Sequence, residues 1–433
     1  MRLRGVAQWL SVGSGVLAAA TGAWAADPGL EAEIEVLKSR LATLERQLAA
    51  SGLRGVSAIA EKPGAALLNL PSGLEGLGLS GYVDVSYLYN FAESDAGASR
   101  TNRGRVFDVE SNGFTPHAAE LVLEKPITDA MPLGFRTDLF FGDDAEVFHA
   151  TGLGTGGTPP DSFDLQQLYI TAKAPFLEGL EFKVGKFVTL LGAEVIESPA
   201  NWNFSRSYMF GFAIPFTHTG ALASYSLGEW GSVTGGVVNG WDIVDDSNKA
   251  KTLIGNITLT PPVEGVTLSF NGITGAERAA DNRNNRTVFD FVGTWQPIEP
   301  LTLMMNWDYG YESGNEPMVS TAGGADGSDG ANWKGLAFYA KYDLTPTWSL
   351  AGRWEWFDDS DAVRTGFGGP GSTLLDDVDY YEWTLTSQWK LHEHVLARVE
   401  YRHDKADERV FFHDGDSFID YQDTVAAELI YQF

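Results

Sequence analysis

The feature that most constrains the fold is an alternation of apolar and polar residues, in segments of about ten residues, that recurs from residue 79 to the C-terminus. Segments 301–309, 348–356 and 395–402 show the pattern, with aromatic residues at the ends of the apolar face. Successive side chains of a strand point to opposite faces, so the alternation indicates strands with one apolar and one polar face. Strands of this length with aromatic residues bordering the apolar face are typical of membrane barrels, whereas sandwich strands are shorter. The pattern predicts an all-β fold, a transmembrane antiparallel β-barrel over residues 78–433.

The turn signals predict about sixteen strands, with fourteen and eighteen as alternatives. Predicted strands begin near residues 79, 114, 133, 163, 180, 218, 231, 249, 266, 286, 301, 333, 348, 379, 395 and 420. Short connections follow the even strands, and the longer Gly/Asp/Asn-rich segments 92–112, 143–161, 191–217, 313–332, 360–378 and 407–418 follow odd ones. Outer-membrane barrels place short turns in the periplasm and long loops outside. An even strand number therefore predicts that both termini are periplasmic.

The first residues predict a segment that is removed before folding. Arg2 and Arg4 precede an apolar run over 6–20 that ends in the small-residue motif at 23–25. This arrangement predicts a secretory signal peptide at residues 1–25, with an amphipathic N-terminal anchor as the alternative.

Residues 27–50 differ in period from the rest of the chain. Their apolar residues follow the 4-3 spacing of a heptad, at Leu30, Ile34, Leu37, Leu41, Leu44 and Leu48. A narrow seam of this kind predicts a coiled-coil helix that binds copies of itself. We expect this segment and the barrel wall to form a homotrimer. The alternatives are a helix lying on its own barrel or a partly disordered segment. Gly and Pro mark residues 51–77 as a linker.

Composition excludes several classes of protein. The chain has no cysteine, which rules out disulfide scaffolds and cysteine-ligated metal sites. With 30 Lys+Arg against 58 Asp+Glu the formal net charge is −28, which argues against binding nucleic acid because phosphates need clustered cations. No ordered catalytic constellation, metal site or cofactor motif is evident, so the chain is predicted not to be an enzyme.

Several short motifs, taken in order, resemble those of a known family. They are Gly81-Tyr82-Val83-Asp84, Gly185-Lys186-Phe187 with Gly192-Ala193-Glu194, and the segments 201–207, 215–220 and 239–242. Their order and spacing are similar to those of the OmpL-like outer-membrane β-barrel porins. The resemblance implies a passive outer-membrane channel for small solutes, trimeric or monomeric, without catalytic residues or cofactors. Its expected surroundings are outer-membrane lipid and lipopolysaccharide of a Gram-negative bacterium.

The loop at 191–217 is the candidate constriction of such a channel. Its aromatic residues are poorly suited to water, so we expect it to pack inside the barrel or on a neighbouring subunit. We expect its charged residues Glu194, Glu197 and Arg206 to face basic residues of the wall, namely Arg136, Lys183, Arg353, Arg398 and Arg402. The alternative is a lid or subunit contact that does not affect permeation.

Three functions are open at this level. The leading prediction is a porin for ions and small hydrophilic solutes, with modest preference for cations because its external loops are acidic. The second is a mainly structural barrel whose coiled coil binds the cell wall or neighbouring barrels. The third is a barrel hydrolase, such as a phospholipase or protease, which would carry a serine or an aspartate–histidine constellation on one rim.

Overall fold

The computed structural model describes residues 76–92, 101–128, 130–153, 162–175, 177, 179–314, 330–359, 361, 363–365, 378–413 and 417–433. The predicted signal peptide, the heptad segment and residues 51–75 of the predicted linker lie outside these residues.

Eighteen strands occur in the described part of the chain, and sixteen of them form the barrel. In chain order they are β1 (Gly78–Asn90), β2 (Gly113–Lys125), β3 (Leu133–Phe141), β4 (Phe163–Lys173), β5 (Leu180–Val188), β6 (Thr217–Ser226), β7 (Gly231–Val238), β8 (Thr252–Leu259), β9 (Val266–Ala276), β10 (Asn285–Ile298), β11 (Leu301–Glu312), β12 (Ala331–Thr345), β13 (Trp348–Asp358), β14 (Asp379–His392), β15 (Val395–Ala406), β16 (Phe411–His413), β17 (Ser417–Ile419) and β18 (Tyr421–Gln432). The short strands β16 and β17 form a separate hairpin in the loop between β15 and β18.

The barrel closes between its first and last strands. All neighbours in it pair antiparallel, and β1 pairs with β2 on one side and β18 on the other. Closure leaves no strand edge with unpaired backbone groups, which is the condition for crossing a lipid bilayer with strands. The predicted fold and sixteen-strand barrel are confirmed, and each barrel strand begins within three residues of its predicted start.

The alternation of the sequence corresponds to an outer and an inner face. On β1, Val83 and Val85 are 43% and 41% exposed on the outside, whereas Asp84 and Ser86 between them are 1% and 3% exposed on the inside. Trp307, Tyr309 and Tyr311 continue the outer face on β11. Aromatic residues near the ends of the outer face suit the membrane–water interfaces. Within the described residues, no helix has the length and apolarity needed to cross a membrane.

Two β-bulges change which residues point inward. The register between β1 and β2 skips His117, and the register between β3 and β4 skips Gln166. Both bulged residues are buried, His117 next to buried Ala118 and Gln166 next to buried Gln167. An extra residue in one strand shifts the alternation by one position. The rule that every second residue points inward therefore fails at the bulges of β2 and β4. It still predicts the inward direction of Glu120, Arg136 and Asp138 correctly.

The connections alternate in length, as predicted. Those at the end that also holds Gly78 and Gln432 are short, such as 299–300, 346–347 and 393–394. The longer ones lie at the opposite end and include the helix α1 (Asp144–Phe148). We call these the short-connection end and the long-loop end. The connection from β5 to β6, residues 189–216, is the inner loop; it contains a 3₁₀ turn (Ser198–Ala200) and a π-helical turn (Met209–Ala213).

Candidate functional site

The inner loop crosses the interior of the barrel and contacts the wall opposite its own strands. Its Ala193 amide donates to Asn306 on β11 (3.2 Å), and its Ala213 carbonyl accepts from the indole of Trp333 on β12 (3.0 Å). Asn203 reaches Thr386 on β14 (2.7 Å). The loop therefore lies inside the barrel, against strands β11, β12 and β14.

Two wall carboxylates bind the backbone of the inner loop. Glu400 accepts the amides of Phe204 (2.7 Å) and Ser205 (3.0 Å). Glu355 accepts the amides of Tyr208 (2.7 Å) and Met209 (2.6 Å) at the start of the π-helical turn. Each carboxylate thus binds two successive N–H groups that have no strand partner. A buried amide without an acceptor is costly, so these four contacts fix the path of the loop.

Three wall arginines bind the carbonyls of the same loop. Arg353 donates to the Ser205 carbonyl (2.7 Å), Arg398 to the Asn201 carbonyl (2.6 Å) and Arg402 to the Arg206 carbonyl (2.6 Å). Their side chains are at most 1% exposed. Acidic and basic side chains of β13 and β15 therefore satisfy four amides and three carbonyls of the loop backbone.

The charges of this wall compensate one another. Arg353 lies 2.6 Å from Glu194 of the loop and 2.6 Å from Glu382 of β14, and Arg402 lies 3.3 Å from Glu382. Arg402 also pairs with Asp404 at 2.8 Å. A buried charge without a partner would be costly, and this chain of ion pairs leaves none of its arginines uncompensated.

An apolar core lies inside the barrel beside this polar wall. Phe107 of the β1–β2 loop meets Phe210 and Phe216 of the inner loop, with ring centroids 5.5–5.8 Å apart in each of the three pairs. They pack in one cluster with inward apolar residues of the facing wall, Phe187, Leu222, Val238, Ile254, Ile273 and Val288. The aromatic content of the loop is accounted for by this packing within the barrel.

The predicted site residues fall into two groups. Glu194 and Arg353 form an ion pair between loop and wall, and Arg398 and Arg402 bind loop carbonyls. Arg206 was expected to face the wall, but its guanidinium donates to the loop's own carbonyls at Ile196 (2.6 Å), Phe204 (2.7 Å) and Val195 (3.2 Å). Its role in the structure is to hold the loop in shape.

The other three predicted residues lie around β3 to β5. Glu197 accepts from the bulged Gln166 (2.9 Å). Arg136 pairs with Asp138 (2.8 Å) and lies 3.6 Å from Glu124. The ammonium of Lys183 lies 4.4 Å from the ring centroid of Tyr169. Carboxylate oxygens of Glu120, Asp138 and Glu197 come within 4.8 Å of one another, but Asp138 already accepts from Arg136, so we assign no metal there.

Three further residues of the buried charge network were not predicted from the sequence: Arg105, Asp108 and Asp404. Asp404 could have been found, because it continues the inward alternation of Arg398, Glu400 and Arg402 on β15. Arg105, whose Nε lies 3.0 Å from Asp404, comes from the irregular loop between β1 and β2. No periodic signal marks such a residue, because the path of an irregular loop depends on tertiary contacts.

A serine, a histidine and an aspartate form a hydrogen-bonded chain near the long-loop end. Ser86 Oγ lies 2.8 Å from His117 Nε2, and His117 Nδ1 lies 2.8 Å from Asp144 Oδ1. The order of atoms is that of a hydrolytic triad. However, all three residues are at most 3% exposed, and Ser86 sits in a strand paired on both sides. Paired strand amides provide no oxyanion hole. We therefore assign these three hydrogen-bonded residues a structural role, which is to connect β1, β2 and α1.

Ser86 is therefore expected not to react with a fluorophosphonate, which labels activated serines. The folded protein would be incubated with the reagent beside a known serine hydrolase, and adducts located by mass spectrometry. An adduct on Ser86 that disappears in Ser86→Ala would contradict the structural assignment and restore the hydrolase alternative.

Asp242 fixes the end of the inner loop. It lies between β7 and β8, and its Oδ1 accepts the amides of Phe216 (2.7 Å) and Thr217 (2.9 Å). Burial raises the pKa of Asp242 from 3.8 to about 6, although these two amides and Arg364 oppose the shift. The group therefore takes up a proton more readily in the folded protein than in the unfolded chain.

A raised folded-state pKa has a defined effect on stability. At pH values between the unfolded-state pKa of 3.8 and the folded-state pKa of about 6, Asp242 makes the free energy of unfolding fall as the pH rises. The reason is that the folded state binds the proton more tightly than the unfolded chain does. Asp242→Asn is expected to lose this part of the pH dependence, measured as urea midpoints in detergent across that range. Asp245→Asn, an exposed carboxylate of the same loop, is the control. Identical pH slopes for wild type and Asp242→Asn would contradict the assignment.

Comparison with known proteins identifies relatives of this barrel. A family model described as "Putative beta-barrel porin-2, OmpL-like" matches residues 76–433. Three similar solved structures are the outer membrane channel DcaP of Acinetobacter baumannii (16% identity, 82% of this chain and 97% of that chain, TM-score 0.51), the trimer form of OmpT, an outer membrane protein of Vibrio cholerae (10%, 82% and 99%, 0.52), and Salmonella typhi OmpF in complex with daunomycin (11%, 82% and 97%, 0.54). At these identities the likeness shows the fold alone. No curated protein sequence matches the chain.

Proposed function

The chain belongs to the OmpL-like family of outer-membrane β-barrel porins, and on that basis we propose that it forms a water-filled channel for passive diffusion of ions and small hydrophilic solutes. The inner loop is the constriction of this channel. The observation that carries the proposal is the docking of that loop across the lumen through Glu355 and Glu400, which bind four of its amides. Sixteen-stranded barrels are wide enough for an aqueous channel, and an inserted loop reduces its diameter.

The distribution of charge supports a preference for cations. Arg353, Arg398 and Arg402 are covered by the inner loop and paired, so their charge is hidden from a permeating ion. The carboxylates that reach solvent lie instead in the long loops, where Asp143, Glu146 and Asp245 are exposed. An acidic channel mouth concentrates cations.

The orientation and assembly follow from the same proposal. The short-connection end with both termini is periplasmic, and the long loops face outward to the lipopolysaccharide. The apolar outer face contacts outer-membrane lipid. The heptad segment at 27–50, together with the barrel wall, joins the protein into a homotrimer.

Reconstitution in a planar bilayer tests the channel directly. Current steps that occur in groups of three, with a reversal potential favouring K⁺ under a KCl gradient, are the expected result. Folded protein that carries no current would contradict the porin proposal and favour a mainly structural barrel. A reversal potential favouring Cl⁻ would contradict only the assignment of selectivity.

A further inference from the structure

A small cavity lies inside the barrel between the inner loop and the wall formed by β10, β11 and β12. Its volume is about 160 Å³. Loop residues line one side and inward residues of the wall line the other: Ala193, Glu194, Ala200, Asn201, Trp202, Asn203, Thr294, Met304 and Tyr339. At about 30 Å³ per molecule the space equals roughly five waters, which suits one ring-sized solute.

The cavity carries no uncompensated charge. Glu194 is its one acidic lining residue, and its carboxylate pairs with Arg353 at 2.6 Å and accepts the Ser207 amide at 2.7 Å. The side chain of Asn201 is already used within the loop, through Val195 and the Glu197 carbonyl. A ligand of this cavity is therefore expected to be neutral, because a net charge would be buried without a partner.

Asn203 presents an acceptor without a partner at the same place. Thr386 donates its hydroxyl hydrogen to Glu400 (2.7 Å), so it can only accept from Asn203, whose Nδ2 lies 2.7 Å away. This fixes the amide orientation and leaves Asn203 Oδ1 buried without a hydrogen bond, in a residue that is 1% exposed. A hydrogen bond from a donor such as a ligand hydroxyl group would remove the free-energy cost of burying this oxygen without a partner.

The remaining lining combines an aromatic surface with hydroxyl groups. Trp202 is half-buried and meets Tyr339 edge to face at 6.4 Å. Thr294 and Tyr339 add hydroxyls, and Met304 adds an adaptable apolar surface. An aromatic face beside a few fixed polar groups matches a sugar ring, which has an apolar C–H face and a rim of hydroxyls.

We propose that this cavity is a binding site for one neutral sugar ring, with Trp202 as its stacking surface and Asn203 Oδ1 as a hydroxyl acceptor. The inference rests on the proposed function, because it names polyhydroxylated ring compounds as solutes held at the constriction. The site is a positioning site for permeation and performs no chemistry.

Equilibrium dialysis of radiolabelled glucose against the folded, full-length protein in detergent tests the site without requiring current. Saturable binding is expected, weakened roughly tenfold or more in Trp202→Ala and in Asn203→Ala and largely retained in Trp202→Phe. Trp230→Ala, which removes an exposed tryptophan of a short connection, is the control and should bind as wild type. Sorbitol has the same hydroxyl chemistry without a ring and should compete poorly.

The outcomes separate this inference from the porin proposal. Glucose binding without current would support the sugar site and contradict the channel proposal. Current without saturable glucose binding, or binding that sorbitol abolishes equally well, would overturn the sugar site and leave the channel. Binding unchanged in both Trp202→Ala and Asn203→Ala, with each variant shown to be folded by its electrophoretic shift on heating, would also overturn it.

Discussion

The double variant Glu355→Ala/Glu400→Ala is expected to pass about twice the current per channel of the unmodified protein, or more. These carboxylates accept four amides of the inner loop, at Phe204, Ser205, Tyr208 and Met209. Without them each buried amide loses an acceptor, at a cost of about 1–3 kcal/mol. The freed amides can form hydrogen bonds to water only if the loop moves away from the wall. We therefore expect the loop to leave the wall and the lumen to widen.

The control for this variant removes two other carboxylates. Asp343→Ala/Glu299→Ala takes the same charge from the short-connection end, where Asp343 is half exposed and Glu299 is in a turn. Its conductance should stay near that of wild type. Equal conductance in wild type and in Glu355→Ala/Glu400→Ala, with both barrels folded, would show that the loop is held by other contacts or does not limit the current.

Arg353→Ala is expected to lower the free energy of unfolding by about 3–5 kcal/mol, because it leaves buried partners without their counter-charge. Arg353 contacts Glu194 and Glu382 at 2.6 Å each and the Ser205 carbonyl at 2.7 Å. The urea midpoint of the detergent-solubilised barrel, followed by tryptophan fluorescence, measures the loss.

Arg278→Ala is the matched control. Its side chain is 31% exposed and pairs with Glu312 at 3.2 Å near the long-loop end. Pairs in contact with water contribute roughly 1 kcal/mol or less, so this variant should unfold close to wild type. Equal midpoints for Arg353→Ala and Arg278→Ala would contradict the view that Arg353 joins loop and wall in one network.

The barrel could be predicted from the sequence because its signal is local. Each strand alternates an inward and an outward residue, as on β1 and β13, and this pattern depends only on the geometry of an extended chain. Turn residues between strands mark where the chain reverses. Together they predicted about sixteen strands and the inward direction of Arg353, Arg398 and Arg402 before any contact was known.

The prediction of side-chain direction from alternation was wrong where a β-bulge adds one residue to a strand. His117 and Gln166 are the extra residues of two β-bulges, and no residue type in their segments predicts a bulge there. As a result His117 was not recognised as a partner of Ser86 and Asp144. A bulge is favoured by what the extra side chain contacts, here α1 for His117 and the inner loop for Gln166.

The sequence by itself determined the barrel, its inner and outer faces, and the candidate loop, because all of these follow from neighbours along the chain. Only the tertiary structure decided which charges meet: Glu194 with Arg353, and the carboxylates of Glu355 and Glu400 with loop amides. These partners lie more than 140 residues apart in sequence. Their pairing depends on how an irregular loop crosses a closed barrel, and the burial of each charge selects the partner that compensates it.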